Sequence, residues 1–373
     1  MKYFLILSLI IPVYAANAAT ALQMNKAFNS IMELLPFVMN EQQFKEKKSE
    51  KIIARELSNL ETSFKLLKHD PLLKQDLFSP SYLLIREGIQ ESSEAFKKGK
   101  KDFALWNFRE TLSLCLDCHT RLPVDYTSSF QNGELEIDQK KLKDPYNLGV
   151  TLLIVRRFVD AKMHFMRDIQ DKLIQKDYTH LIRPLQQVLL IETKIKNNPD
   201  AMISLIDDFI KNKNFPSSYK NQLLNWKEGL EIWKKSGIAQ NDIETEKGLQ
   251  KFITEKLAPL REENFNETHK VDLLLSSGIL SRYFFIHPSS PSAPELNYWL
   301  GWIEKRLKRE QFFSSGDLYL KQCIKEYPKH PIAKKCLEEY EESVEFDFSG
   351  SGGTHIPPEV IEELESLRGL IKK

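Results

Sequence analysis

The chain has 373 residues, and its 53 lysines and arginines nearly balance its 52 aspartates and glutamates, for a formal charge of +1. This balance argues against a nucleic-acid partner, because binding phosphates needs a clear basic excess. The length predicts two or three domains, each able to bury a core. Only 14 glycines are present, and long stretches are rich in Leu, Lys, Glu and Ile, which favours an all-α fold.

The first eighteen residues have the features of a secretory signal peptide. Lys2 gives a short basic start, an apolar run extends from Tyr3 to Val13, and Ala16-Asn17-Ala18 is a small-residue sequence suited to cleavage after Ala18. The apolar run is too short to span a bilayer comfortably, and no later stretch is apolar enough to do so. We therefore expect an exported, periplasmic protein without a transmembrane segment. A retained signal that acts as an N-terminal anchor is the alternative.

Residues 20–124 are predicted to form a first domain of four helices joined by short turns. Apolar residues at helical spacing define the first two helices, and the third begins at Ser79-Pro80 and stops at Gly99. The predicted helices cover about residues 22–39, 44–68 and 79–98, and the fourth runs from about 101 to the turn before residue 123. Four helices of similar length with short connections favour an antiparallel bundle.

The fourth predicted helix ends in the motif Cys115-Leu116-Asp117-Cys118-His119. Two thiols three positions apart, with a histidine directly after the second, are typical of c-type haem attachment. Each cysteine adds across one vinyl group of the porphyrin, and the histidine is then close enough to bind the iron as proximal ligand. The motif predicts one covalent haem c, held by Cys115 and Cys118, with His119 on the iron.

The same five residues could also form a disulfide or half of a zinc site, or could occur together by chance. A thioredoxin-like redox pair requires a βαβ context, whereas the flanks here have helical periodicity. A four-ligand zinc site requires a second close pair of Cys or His, and the sequence contains none. The export signal also favours haem, because attachment to this motif normally follows export.

A four-helix bundle with this motif near the end of its last helix resembles the cytochrome c′ family, including its low-spin relatives. The resemblance covers about residues 22–124 and is strongest from Gly99 to His119, where a turn, a helix and the motif follow in family order. It implies that the two cysteines hold the porphyrin and that the histidine is the proximal ligand. The family usually carries an arginine a few residues beyond the histidine. Here Arg121 comes sooner, and Pro123 breaks the helix.

The resemblance also implies that the first helix covers the distal side of the haem. Low-spin members place a methionine there, and members with an open iron place an apolar residue. Met32, near the middle of that helix on its apolar face, is the first candidate, with Met24 and Met39 as alternatives. A methionine on such a face also serves as core filler. His69, in the following loop, is a weaker candidate.

The identity of the sixth ligand separates two kinds of chemistry. Methionine and histidine together raise the reduction potential and suit electron transfer. An open distal site would instead bind a small gas molecule.

Residues 125–145 contain Asn132-Gly133 and no sustained periodicity, which predicts an inter-domain linker. From 146 to 345, helical segments of unequal length follow one another, as in an α-solenoid. Two stretches resemble the tetratricopeptide pattern, in which a small residue lets antiparallel helices pack closely. The first comprises Leu148-Gly149, Leu152, Ala161 and Phe165, and the poorer second runs from Tyr298-Trp299-Leu300-Gly301 through Phe313 and Tyr319 to Pro328. A helical domain without regular repeats is the alternative.

The remaining two cysteines, Cys323 and Cys336, flank a turn at Tyr327-Pro328-Lys329-His330-Pro331. A helical hairpin around this turn would bring the two side chains face to face, so a structural disulfide is predicted in an oxidising compartment, with buried thiols as the alternative. Residues 346–373 contain a glycine-rich segment and a terminal helix. The segment does not follow a strand and lacks the lysine of a phosphate loop, so a docking or flexible role is expected.

Three functions are consistent with these patterns. The preferred one is a periplasmic monohaem cytochrome that transfers electrons and uses its helical domain to dock a redox partner protein. The alternatives are a haem-based gas or redox sensor, and a scaffold in which the haem is structural. No constellation of paired carboxylates or nucleophiles is assignable, so an enzyme is not expected. The sequence leaves the oligomeric state open.

Overall fold

The computed structural model describes residues 4–124, 142, 144–238, 243–263, 266–309 and 315–371. Throughout this part the chain is helical, and its one sheet is a hairpin in which Ser349–Gly350 pairs antiparallel with Gly353–Thr354. The predicted all-α class is therefore confirmed. Within the described ranges, no helix combines the length and the apolar character needed to cross a bilayer. The predicted linker at 125–145 lies almost entirely outside the described residues.

Contacts divide the chain into two compact units. The first comprises residues up to His119 together with the described part of Asp125–His164. The second comprises Thr120–Val124 and the residues from Phe165 onwards. The boundary predicted at residue 145 thus falls inside the first unit, where Ile154, the last residue of the helix that starts there, accepts a hydrogen bond from His119.

Among its described residues, the first unit contains six helices and the start of a seventh. These are α1 (Phe4–Met39), α2 (Glu41–Lys45), α3 (Glu50–Leu66), α4 (Ser79–Lys97), α5 (Lys101–Arg121), α6 (Pro145–Ile154) and α7 (Phe158–Gln175). Helix α1 includes residues 4–18 of the predicted signal sequence, so cleavage after Ala18 would leave its second half as the first helix of the mature chain. The turn from α4 to α5 is made by Gly99, whose φ of +77° is a left-handed conformation that glycine adopts without steric cost.

The predicted second helix, 44–68, is wrong at its start. Asn40 caps a short separate helix, since its side chain accepts a hydrogen bond from the backbone N–H of Gln43 at 3.0 Å. Glu46 is then extended, and α3 begins only at Glu50. This break places Phe44 in the core, where its ring packs edge-on against Phe96 with centroids 5.3 Å apart.

Buried polar contacts fix the order in which the first-unit helices pack. Ser30 on α1 donates to Glu56 on α3 at 2.9 Å, and the Tyr82 hydroxyl on α4 donates to the Phe64 carbonyl on α3 at 2.9 Å. Asn107 on α5 donates to the Gly88 carbonyl on α4 at 3.0 Å, and Arg109 on α5 donates through Nε to the Val38 carbonyl on α1 at 3.1 Å. Helices α1, α3, α4 and α5 therefore enclose one core.

The second unit is a succession of packed helices. These are the rest of α7, then α8 (Ile182–Leu190), α9 (Pro199–Lys211), α10 (Ser217–Lys235), α11 (Glu246–Phe252), α12 (Ala258–Glu262), α13 (Glu267–Ile286), α14 (Ala293–Arg309), α15 (Gly316–Glu326), α16 (Ile332–Asp347) and α17 (Pro358–Ile371). Helix α10 packs against α9 and α13, and α14 packs against α13, α15 and α16. The two π-helical segments are Ile191–Ile195 and Ile253–Leu257.

A disulfide bond joins Cys323 on α15 to Cys336 on α16, with Cα atoms 6.3 Å apart. This is the pairing that the spacing around the turn predicts. At the preceding hairpin, a Cβ on Gly301 would lie 2.6 Å from Leu320 Cδ2, so the glycine allows α14 and α15 to approach closely. Gly301 is the small residue of the second tetratricopeptide-like stretch, whose Phe313 lies outside the described residues.

A buried ion pair crosses the middle of the second unit. Lys194, in the first π-helical segment, donates to Glu304 Oε1 on α14 at 2.7 Å, and both side chains are 1% exposed. Ser277 on α13 also donates to this carboxylate. Next to it, Gly278 lies directly against the backbone of Lys194. Helix α13 thus lies close to the Lys194 backbone at the point where the Lys194–Glu304 ion pair is buried.

We predict that Gly278→Ala destabilises the chain by about 1–3 kcal/mol, because the new Cβ would overlap the Lys194 carbonyl oxygen. The matched control is Gly369→Ala on α17, where nothing lies within 4 Å of the added Cβ and alanine is the better helix former. The control should be neutral or stabilising by up to about 1 kcal/mol. Urea unfolding of both variants measures the difference, and equal stabilities would contradict the close approach.

Candidate functional site

The last turns of α5 bring the two motif cysteines to one side of the helix. Positions three apart are neighbours on a helix surface, so Cys115 and Cys118 share a face. Their exposed fractions are 7% and 8%, and neither is in a disulfide. Leu116 and Asp117, which separate them, are also buried.

Both cysteines and His119 line one cavity inside the first unit. The empty space at this cavity, counted together with the open solvent at its mouth, is about 540 Å³. Helices α1, α3, α4 and α5, the segment after α3 and the end of α6 all contribute to its walls. Apart from the three motif residues, the wall consists of Met24, Ala27, Phe28, Ile31, Phe64, Leu73, Tyr82, Ile85, Ile154 and Val155.

The His119 ring is held by the backbone of another helix. Its Nδ1 forms a hydrogen bond with the carbonyl oxygen of Ile154, the last residue of α6. A carbonyl only accepts, so this contact assigns the proton to Nδ1 and leaves the lone pair on Nε2. Metal-binding histidines are commonly fixed in this way, through the ring nitrogen that does not bind the metal. The geometry therefore suits Nε2 as a ligand.

The surroundings keep the His119 imidazole and the Cys115 thiol uncharged at neutral pH. Burial lowers the pKa of His119 to about 4; the Ile154 carbonyl opposes this shift and the Arg156 charge adds to it. Burial, with the nearby Cys118, raises the pKa of the Cys115 thiol to about 12. A neutral imidazole and a neutral Cys115 thiol in an apolar cavity differ from the thiolate cluster of a structural zinc site.

These residues fit a covalently attached haem. The macrocycle needs an apolar slot, two thiols on one side of it and a neutral imidazole with an available nitrogen. The cavity supplies all three, and the thiols and the imidazole come from one five-residue stretch of α5. In the described part of the chain, no group of three or more His, Cys, Asp or Glu is arranged to hold a bare metal ion.

The methionines of α1 are placed differently from the sequence expectation. Met24 lines the cavity, on the same helix face as Ala27, Phe28 and Ile31. Met32, the first candidate for the distal ligand, is 8% exposed but is not part of the cavity wall. It follows Ile31 directly, so it is rotated by roughly 100° around the helix from the residue that faces the cavity.

The remaining candidates lie away from this cavity wall. Met39 is 46% exposed at the end of α1. His69 is an exposed residue of the 3₁₀ turn Leu67–His69.

Sequence reasoning missed the contribution of α6. Ile154 and Val155 line the cavity, and Ile154 holds the histidine, although both fall in the region predicted to be a separate repeat domain. Their apolar run, from Leu152 to Val155, signals burial but not the place of burial. Tyr82 was also missed: its ring lines the cavity while its hydroxyl donates to the Phe64 carbonyl.

The chain matches no protein-family model, no curated protein and no solved structure.

The low pKa of His119 predicts an acid-sensitive fold in the haem-free chain. In the unfolded state His119 has a pKa near 6.5 and binds a proton below that pH. In the folded state its imidazole binds the proton only when the pH falls to about 4. Stability should therefore fall by about 2 kcal/mol between pH 7.5 and 5 on account of this residue. Urea unfolding at both pH values measures it, with His119→Gln as the control. An equal pH dependence in both proteins would contradict the burial of a neutral ring.

Proposed function

We propose that the chain is an exported monohaem c-type cytochrome that transfers electrons. Cys115 and Cys118 would hold the porphyrin through thioether bonds, and His119 Nε2 would bind the iron. The haem would supply one-electron redox chemistry when bound. Helices α1, α3, α4 and α5 would form a bundle of the cytochrome c′ kind around it.

One observation carries this proposal: the three motif residues line the same apolar cavity, with the histidine Nδ1 engaged by a backbone carbonyl. A motif that occurred by chance has no reason to face a cavity, and a redox disulfide has no need of one. The polypeptide's contribution would be to bind and orient the cofactor and to exclude water from it. The walls that exclude water are aliphatic and aromatic side chains from α1, α3, α4, α6 and the segment after α3.

Two features support export. The N-terminal eighteen residues have the composition of a signal peptide, and the disulfide between Cys323 and Cys336 is of the type that persists in oxidising compartments. In the periplasm the second unit would serve to dock a redox partner protein. Its succession of helices would supply the docking surface, as helices do in α-solenoids.

Electron transfer is favoured over gas sensing because a methionine lines the cavity. Met24 is one of the alternative distal ligands that the sequence offers, and its place in the wall makes it the better candidate. Thioether and imidazole ligation would leave the iron closed to gases and raise its reduction potential. A sensor requires an open position on the iron.

The covalent haem is tested by mass. We predict that the wild-type chain, expressed with haem-attachment machinery, is red and heavier than its mature polypeptide by one haem. The Cys115→Ala/Cys118→Ala variant should have the polypeptide mass only. The matched control is Cys323→Ala/Cys336→Ala, which also removes two cysteines but should keep the haem. Colourless wild-type protein of polypeptide mass would refute the proposed function.

The distal ligand is tested by the spectrum of the reduced protein with and without carbon monoxide. We predict that wild type and Met32→Ala are low-spin and do not react, whereas Met24→Ala binds carbon monoxide because its iron loses a ligand. Ready binding of carbon monoxide by the wild type would favour the sensor instead.

If the Cys115→Ala/Cys118→Ala variant kept every partner interaction, the scaffold hypothesis would be preferred.

A further inference from the structure

The turn between α6 and α7 contains a buried arginine in an unfavourable backbone conformation. Arg156 has a φ of +63° and is 3% exposed. It occupies the position after the helix cap, where Arg156 N–H bonds to Leu153 and Arg157 N–H bonds to Leu152. Glycine is the usual residue there, because other side chains strain the left-handed conformation.

Among the non-glycine residues with positive φ in the described ranges, Arg156 is the buried one. The other three, Lys176, His180 and Asn197, are exposed or half-buried. Backbone strain at an exposed turn is common. A buried charged residue in a strained conformation instead suggests that its side chain has a function.

The Arg156 side chain contacts the end of α5. Its Nη1 donates to the carbonyl oxygen of His119 at 2.6 Å, and its guanidinium lies over the Phe158 ring, 5.1 Å from the centroid. From the same turn, the Ile154 carbonyl accepts a hydrogen bond from the His119 ring. His119 is therefore bound at two points, through its backbone carbonyl by Arg156 and through its ring by Ile154.

These two hydrogen bonds run in opposite directions. Arg156 donates to the His119 backbone carbonyl, and the His119 ring donates through Nδ1 to the Ile154 carbonyl. Both contacts join the end of α5 to the end of α6 and the turn that follows it, and the Nδ1 side of the imidazole faces this region. Charge-assisted hydrogen bonds of this kind are about twice as strong as neutral ones.

We propose that Arg156 is a positioning residue for His119: it fixes the orientation of the imidazole, and its buried charge favours the reduced state of an iron bound there. The second half of this proposal rests on the proposed function, whereas the first half concerns the polypeptide alone. The turn that carries Arg156 lies outside the four helices of the cytochrome c′-like bundle. An appended helical segment thus acts on the proximal side of the site.

The first test uses nuclear magnetic resonance on the full haem-free chain. In the wild type, His119 should show the Nδ1–H tautomer, with a slowly exchanging ring proton. Arg156→Met should accelerate this exchange at least tenfold. The matched control is Arg157→Met, which removes the neighbouring charge, paired with Asp160, without touching His119. Unchanged tautomer and exchange in Arg156→Met would overturn the positioning role.

Two conservative variants allow the positioning role to be tested even if Arg156→Met does not fold. Arg156→Lys keeps a charge and a donor, and should stay within about threefold of the wild-type exchange rate. Arg156→Gln keeps a donor but loses the charge, and relieves none of the backbone strain. If Arg156→Met does not fold, a faster exchange in the Gln variant than in the Lys variant supports the proposal, and equal rates overturn it.

The second test measures the reduction potential of haem-loaded protein. Loss of a buried unit charge near the ligand should shift the one-electron equilibrium towards the oxidised state on the order of tenfold, or about 59 mV. Arg156→Gln should show this shift, and Arg156→Lys and Arg157→Met should not. Equal potentials in all four proteins would overturn the electrostatic role. If no haem is attached at all, the proposed function fails, while the resonance experiment still decides the positioning role.

Discussion

The hydrogen bond between His119 and the Ile154 carbonyl is the contact on which the site depends. It joins the end of α5 to the end of α6, and it selects the tautomer that leaves Nε2 with a lone pair. A helix end offers such a carbonyl because its last carbonyls have no partner within the helix. The unused acceptor of α6 thus supports the His119 ring on α5.

The cavity wall of the first unit lacks charged side chains, whereas the interior of the second unit contains ion pairs. In the first unit, the cavity wall is apolar except for the motif, and burial keeps His119 and Cys115 neutral. In the second unit, charges are buried as pairs, such as Lys305 with Glu339 at 2.6 Å. Burying an unpaired charge is costly, whereas a flat apolar cofactor can occupy a neutral cavity. A neutral apolar cavity is the environment that the proposed porphyrin would require.

Much of the local structure follows from the sequence because its causes are local. Gly99 ends one helix and starts the next, and the turn at 327–331 brings two cysteines together. The break before α3 was missed because it depends on the Asn40 cap and on the burial of Phe44, while periodicity continues across it. Helical periodicity could not distinguish Met24 from Met32 as the residue that lines the cavity, since the two differ only in rotation around α1 and in distance along it.

The sequence by itself determined the helical class, the disulfide pair and the five-residue motif with its implied chemistry, because each depends on composition or on spacing over a few residues. Only the tertiary structure decided that α6 belongs to the first unit, that Met24 faces the cavity, and that Arg156 and Ile154 hold His119. The contacts to His119 join residues more than thirty positions apart in the chain. Such contacts are set by how helices pack, and no local pattern encodes that packing.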